Sequence, residues 1–241
     1  MFDKFGILHE HLEFLKSKIW FDDIFIVGGS VRDILMWITQ NPKDIDITCA
    51  CEPDDLRSSM DKTDISIFRT EKFGTITFLP KKGEFKKIKY EITPFREEWK
   101  YDDFRHPWEI KRTKDLISDS RRRDFSINCI YFSWAHIDTK IWDISLIDKE
   151  KLLKILSKDW YIFLADTNTL ILQSQDIVQS LYKDWKLDLE KMKWLLKNPF
   201  GFVQKPCKNW RLTILIDLWW GINDIISPLI KCVWNPDDRF G

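Results

Sequence analysis

The stretch FIVGGSVRDILMWITQNPKDIDIT, Phe25 to Thr48, compresses a strand, a glycine turn, a helix and a second strand into 24 residues. IFIVGG is a short apolar run ending in glycines, the pattern of a buried strand. Ser30 to Trp37 then opens an amphipathic helix, with Ser30 as candidate N-cap. DIDITC alternates acid and isoleucine with period two, so it predicts a strand carrying Asp44 and Asp46 on one face. Two carboxylates on one face repel each other unless a cation sits between them. Such a pair suits Mg²⁺, which takes carboxylates together with substrate phosphates. Alone, D-x-D is a weak signal, since most such pairs are solvated surface acids.

The glycines narrow the choice. Gly28 and Gly29 join a strand end to a helix start, where backbone N–H groups can approach a phosphate with no Cβ in the way. Arg32, one turn on, can offer a forked donor to the same anion. A tight turn with no ligand remains the alternative, and Asp33 reads either as a catalytic acid or as a structural partner of Arg32. The dinucleotide fingerprint G-x-G-x-x-G and the phosphate loop ending in GK[ST] are both missing, which removes a kinase-like reading.

Further along, DISIF (64–68), GTITFL (74–79) and KIKYEITPF (87–95) predict three more strands, with a charged hairpin turn around Gly83 between the last two. Residues 6–19 predict an amphipathic helix, Pro53 to Met60 a short one with Pro in its first turn, and 96–113 a loop. SRRRDFSINCIYF predicts a helix that starts near Arg122, Arg123 and Asp124, with Asn128 one turn on. Three consecutive arginines either form a solvated face or reach a ribose and a triphosphate.

These pieces predict an α/β (α+β) fold. About five strands mixed with helices form one unit over 1–132, the character changes to a helix-rich stretch over 133–211, and 212–241 follows. Within 133–211, KEKLLKILSKD and DLEKMKWLLKNPF look helical and WYIFLADTNTLIL strand-like. Lys plus Arg and Asp plus Glu both number 38, so net charge gives no push toward nucleic acid, and RNA binding would need a local basic patch. No apolar run approaches the ~18 residues of a membrane span, and the N-terminus reads as an amphipathic helix, not a signal peptide. Five cysteines with no C-x-x-C pair argue against zinc and for a reducing cytoplasm.

Six segments in order, GGSVRDILMW, DID, FGTIT, EITPFR, RHP and RRRDFSINC, resemble the head domain of the class II tRNA nucleotidyltransferase and bacterial poly(A) polymerase family. The resemblance implies a palm-like mixed sheet flanked by helices, with 133–211 an insertion of unknown role and 212–241 the end of the head. It implies that Asp44 and Asp46 are metal ligands and that Gly28, Gly29 and Arg32 hold a triphosphate. It also implies that Arg123 and Asp124 contact nucleotide phosphate or sugar. Glu91 matches an acid of the family motif and is either a third active-site carboxylate or a solvent-facing strand residue. The implied reaction is attack of an RNA 3′-hydroxyl on ATP or CTP with Mg²⁺, adding CCA or A to tRNA. The alternatives are a poly(A) polymerase, a nucleotide- or RNA-binding module inactive alone, and, more remotely, a small-molecule nucleotidyltransferase. The helical neck that reads the base in this family has no counterpart before the chain stops at NPDDRFG.

One count conflicts with the rest: 13 Trp against 8 Gly. Trp20 follows a predicted helix, Trp160 and Trp185 follow Lys-Asp, and Trp210 follows Lys-Asn, where glycine would make a turn. Trp37 and Trp220 stand at glycine positions of the resembled family, as does Trp234, and Trp99 lies in a loop that is often glycine there. The expectation is that the gene uses UGA for glycine and was translated with a code that reads it as tryptophan.

Overall fold

The computed structural model describes residues 5–20, 24–70, 74–101, 107–137, 141–142, 162–166, 169–173, 178–179, 182–183, 186–187, 204–205 and 210–233. The chain divides into two compact units, one made of residues 1–131 and 219–241, the other of 132–218.

In the first unit, α1 (Gly6–Lys18) precedes β1 (Ile24–Val27), α2 (Gly29–Leu35), β2 (Asp44–Cys49), α3 (Pro53–Ser59), β3 (Ile65–Thr70), β4 (Thr75–Pro80) and β5 (Lys89–Pro94). The five strands lie in the order β1-β2-β5-β4-β3. β2 and β5 run parallel, and the other neighbours run antiparallel. Such a mixed sheet was the expectation, and its strand boundaries fall within two residues of the segments read from the sequence.

Alternation gives this sheet two unlike faces. Ile45, Ile47, Phe78, Tyr90 and Ile92 are buried, while Asp44 and Asp46 of β2 and Lys89 and Glu91 of β5 occupy the alternate positions. On the apolar side α1 contributes Leu8, Leu12 and Leu15, all buried at helical spacing. His11 joins them, its Nδ1 2.8 Å from the Tyr90 hydroxyl, and burial lowers its pKa to about 4. Tyr90 stacks on Phe78 with ring centroids 4.8 Å apart. The apolar face thus anchors the strands whose other face carries the acids.

Three expectations are corrected. Ser30 does not cap α2. Gly28 is the N-cap, and Ser30 lies inside the helix with its hydroxyl donating to the Val27 carbonyl at 3.4 Å. Residues 96–113 are mostly not loop but an antiparallel ribbon of β6 (Arg96–Tyr101) and β7 (Pro107–Arg112). Charged residues at successive positions hid its alternation, because this ribbon is defined by backbone pairing and not by an apolar stripe.

The third correction concerns SRRRDFSINCIYF, which is not one helix. The helix α4 (Leu116–Arg121) ends there, Ser126–Asn128 form a single 3₁₀ turn, and β8 (Ile130–Ile137) follows. Asp115 caps α4, accepting from the Ile117 and Ser118 amides. Beyond Arg122 the backbone pairs elsewhere. The Ser126 amide donates to the Lys231 carbonyl at 2.9 Å, and the Val233 amide donates to the Asp124 carbonyl at 3.2 Å. A β-branched and aromatic run then favours strand.

In the second unit the described residues form β9 (Ile141–Trp142), β10 (Ile162–Asp166), β11 (Thr169–Leu172), β12 (Tyr182–Lys183), β13 (Lys186–Leu187), β14 (Gln204–Lys205) and β15 (Trp210–Asp217). WYIFLADTNTLIL, expected to be strand-like, carries two strands, β10 and β11, paired antiparallel, and β11 pairs parallel to β15. The two segments read as helices in this region lie outside the described residues. The chain re-enters the first unit through α5 (Gly221–Ile226). Its start packs so closely on the Ser126 carbonyl that a side chain at Gly221 would collide with it.

Cys49 ends β2 and Cys51 lies just beyond it, their sulfurs side by side, a proximity that the scattered cysteine set did not suggest. Among the described residues no helix is long and apolar enough to cross a membrane.

Candidate active site

β1 and β2 are antiparallel with Val27 opposite Asp46, so the glycine turn that follows β1 lies beside the second acid of D-x-D. Gly28 has φ +77°, the left-handed region where a side chain is strained. A Cβ there would come within 3.0 Å of an Asp46 carboxylate oxygen. Both properties demand glycine, and together they fix the distance between turn and acid.

β5 completes the acid cluster. In its parallel register with β2, Lys89 lies opposite Asp44 and Glu91 opposite Asp46. Thr77 of β4 donates to Glu91 at 3.5 Å. Burial pushes the Asp46 carboxyl above the usual range, and the Glu91 charge adds to the push, while Arg123 and Lys89 pull it back. Asp44 is the most exposed of the three, its side chain 68% accessible. The Lys89 ammonium lies 3.4 Å from both Asp44 and Glu91.

Among the described residues no group of three or more His, Cys, Asp or Glu side chains is arranged to hold a metal ion by itself. An open edge of carboxylates already drawing one cation still fits Mg²⁺, which keeps positions for phosphate oxygens and water.

The arginines are held. Arg32 donates Nε to Asp33 at 2.7 Å and Nη1 to Asn128 at 2.8 Å, so Asp33 is its structural partner and Asn128 links α2 to the 3₁₀ turn. Gly29 sits beside the same guanidinium, 3.5 Å from Arg32 Nη2 to an added Cβ. Arg122 and Arg123 both turn to Asp119, at 2.8 and 3.4 Å, instead of forming a solvated row. Arg123 also donates to the Tyr131 hydroxyl at 3.0 Å. Asp124 is exposed, and its carbonyl is taken by the chain's later segment.

Two residues of consequence were not singled out from the sequence. Lys89 shares a face with Glu91 by the same alternation that marks D-x-D, a signal present in KYE. Asp119 is an acid in a helix whose neighbours Leu116, Ile117 and Ser120 are buried, a misfit that flags a buried partner.

The family model described as Poly A polymerase head domain matches residues 24–148, a little over half of the chain. The CCA-adding enzyme of Staphylococcus saprophyticus is 45% identical over 106 residues, which are 44% of this chain and 24% of that protein. The CCA-adding enzyme of Lactococcus lactis is 39% identical over 107 residues, 44% and 25% of the two chains. The crystal structure of the Bacillus stearothermophilus CCA-adding enzyme in complex with CTP aligns with 100% of this chain and 36% of that one, at 17% identity and TM-score 0.48. The matched segment spans about a quarter of the length of the curated relatives. On the match over residues 24–148, the chain belongs to the poly A polymerase head domain family.

Proposed function

We propose that the chain is the head of a metal-dependent nucleotidyltransferase that adds CCA, or A residues, to the 3′ end of tRNA from CTP and ATP in the cytoplasm. The observation that carries this reading is the position of Asp46, opposite Val27 at the Gly28 turn and opposite Glu91 on the next strand, with Asp44 on its own face. The relatives, named as CCA-adding enzymes, support it.

In that reaction the RNA 3′-hydroxyl attacks the α-phosphorus of the nucleotide, the bond to the bridging oxygen breaks, and pyrophosphate leaves. Asp44 and Asp46 would hold Mg²⁺ together with the nucleotide's phosphate oxygens, with Glu91 a further carboxylate beside them. When bound, the ion supplies Lewis-acid polarisation and lowers the pKa of the attacking hydroxyl. The chain's own contribution is positioning. The open Gly28–Gly29 turn lets phosphate oxygens reach backbone N–H groups from which a Cβ would exclude them. Ser30 packs α2 under that turn through Val27. Arg32, fixed by Asp33 and Asn128, presents its charge in one orientation. Arg122, Arg123 and Asp124 lie on the 3₁₀-turn side, suited to the nucleotide's phosphates and sugar.

The test is incorporation of labelled CTP and ATP into tRNA lacking its terminal CCA. Asp44→Ala and Asp46→Ala are each expected to lower incorporation at least ~1,000-fold, the scale of several kcal/mol of lost charge stabilisation. Nucleotide binding by the unaltered chain with no incorporation would overturn the enzymatic reading and leave a binding module.

A further inference from the structure

We propose that Lys89 is a placeholder cation, occupying the gap between Asp44 and Glu91 until a divalent ion displaces it. This rests on the reading of Asp44 and Asp46 as metal ligands with Glu91 beside them, and it goes beyond that reading in assigning a competitor that belongs to the chain itself.

Register puts Lys89 there. It lies opposite Asp44 across the parallel β2–β5 pair and two residues before Glu91, so it projects from the same face as all three acids. Its Nζ is equidistant, 3.4 Å, from Asp44 Oδ1 and Glu91 Oε1. A third carboxylate, Asp46, feels the same ammonium. Without a cation, three acids on two adjacent strands would repel one another, and Lys89 is the neutralising group that the strands themselves provide.

The same geometry makes the contact easy to break. The Lys89 side chain is 41% exposed and its partner Asp44 is more exposed still. Exposed pairs of this kind are weak and screened, and a lysine's four-carbon stem lets the ammonium swing away without moving the backbone. A divalent ion brings twice the charge and binds oxygen at shorter range. Entry of the ion therefore exchanges one cation for another at Asp44 and Glu91. The released ammonium stays on the face where the nucleotide's phosphates would lie.

The experiment is a Mn²⁺ titration of the full chain without nucleotide, following the free Mn²⁺ spectrum by electron paramagnetic resonance. Lys89→Met is expected to bind Mn²⁺ about 3- to 5-fold more tightly than the unaltered chain, the scale of a weak exposed pair. Lys89→Arg, which keeps the charge, is expected to stay near the unaltered affinity. Equal or weaker binding by Lys89→Met overturns the placeholder. Asp46→Asn separates the two levels of the claim. If it abolishes Mn²⁺ uptake while Lys89→Met changes nothing, the metal reading stands and the placeholder falls. If the unaltered chain takes up no Mn²⁺, both fall.

Discussion

Asp46 and Asp119 are the same residue type in the same unit, and their surroundings push them in opposite directions. Asp119 is wholly buried, yet Arg122 and Arg123 overcome the cost of burial and hold its carboxyl below the usual range. The Tyr131 hydroxyl at 3.3 Å and the Arg96 amide at 3.2 Å satisfy its remaining lone pairs. Asp46 is less buried but sits beside two other carboxylates, and it is held above the usual range. One acid has its cations in direct contact, and the other stays raised although Arg123 and Lys89 both pull on it. The contrast separates an acid whose countercharges are bonded to it from one whose neighbours leave its carboxyl raised, the kind of perturbation that marks a candidate site.

The larger effect lies with Asp119. Asp119→Ala leaves two guanidinium groups facing a buried gap, and breaking such a pair typically costs about 3 kcal/mol or more. Chemical denaturation of the variant measures the loss, and a change within ~0.5 kcal/mol would mean that the buried pairing is not structural. The pH dependence has a definite sign. A carboxyl whose folded pKa is lowered stabilises the protein at neutral pH. That contribution disappears as pH falls below its ordinary value near ~3.9 and through the lower folded value.

The effect at Asp46 has the opposite sign and a smaller size, because water screens it. A carboxyl whose folded pKa is raised costs stability once it is charged, so its cost grows as pH rises from ~3.9 through the higher folded value. Asp46→Asn is therefore expected to raise the melting temperature at pH 7 in metal-free buffer. The gain should vanish near pH 3, where both side chains are neutral, and shrink when Mg²⁺ is added, since only the aspartate form gains from the ion. A lower melting temperature for Asp46→Asn at pH 7 would break the comparison.

Much of this contrast was legible in the sequence, and unevenly so. D-x-D, the glycine pair and the acid of EITPFR are read by period-two alternation and by turn chemistry, which are local properties. Their convergence is not local. That Glu91 sits opposite Asp46, and Lys89 opposite Asp44, depends on the parallel register of β2 and β5, strands separated by β3 and β4. The SRRRDFSINC segment was misread because its backbone partners, Lys231 and Val233, come from about 100 residues further along the chain. Asp119 escaped notice because its role depends on two arginines that read, in a linear string, as a solvated run. The β6–β7 ribbon escaped because its residues carry charge where a strand pattern needs an apolar stripe.

The smallest expected effect tests the tryptophan count against these same turns. Gly28 shows what the fold does with a left-handed position when glycine fills it. Trp37 has φ +60° and occupies the equivalent demand at the end of α2. Its amide donates to the Ile34 carbonyl at 3.2 Å, and the Ile38 amide reaches back to the Asp33 carbonyl at 2.8 Å. Those two bonds define a Schellman cap with Trp37 at the position that glycine ordinarily takes. Trp220, at φ +61°, caps α5 in the same conformation. A side chain in this region costs about 1 kcal/mol, and Trp37, 64% exposed, recovers little of that by burial. Trp37→Gly is therefore expected to raise stability by about 1 kcal/mol, and mass spectrometry of native-host peptides to find glycine at position 37. Tryptophan in those peptides would mean that the chain carries the strain as encoded. A destabilised Trp37→Gly would mean that the indole packs well enough to offset it, and that the cap is no longer a glycine slot like Gly28.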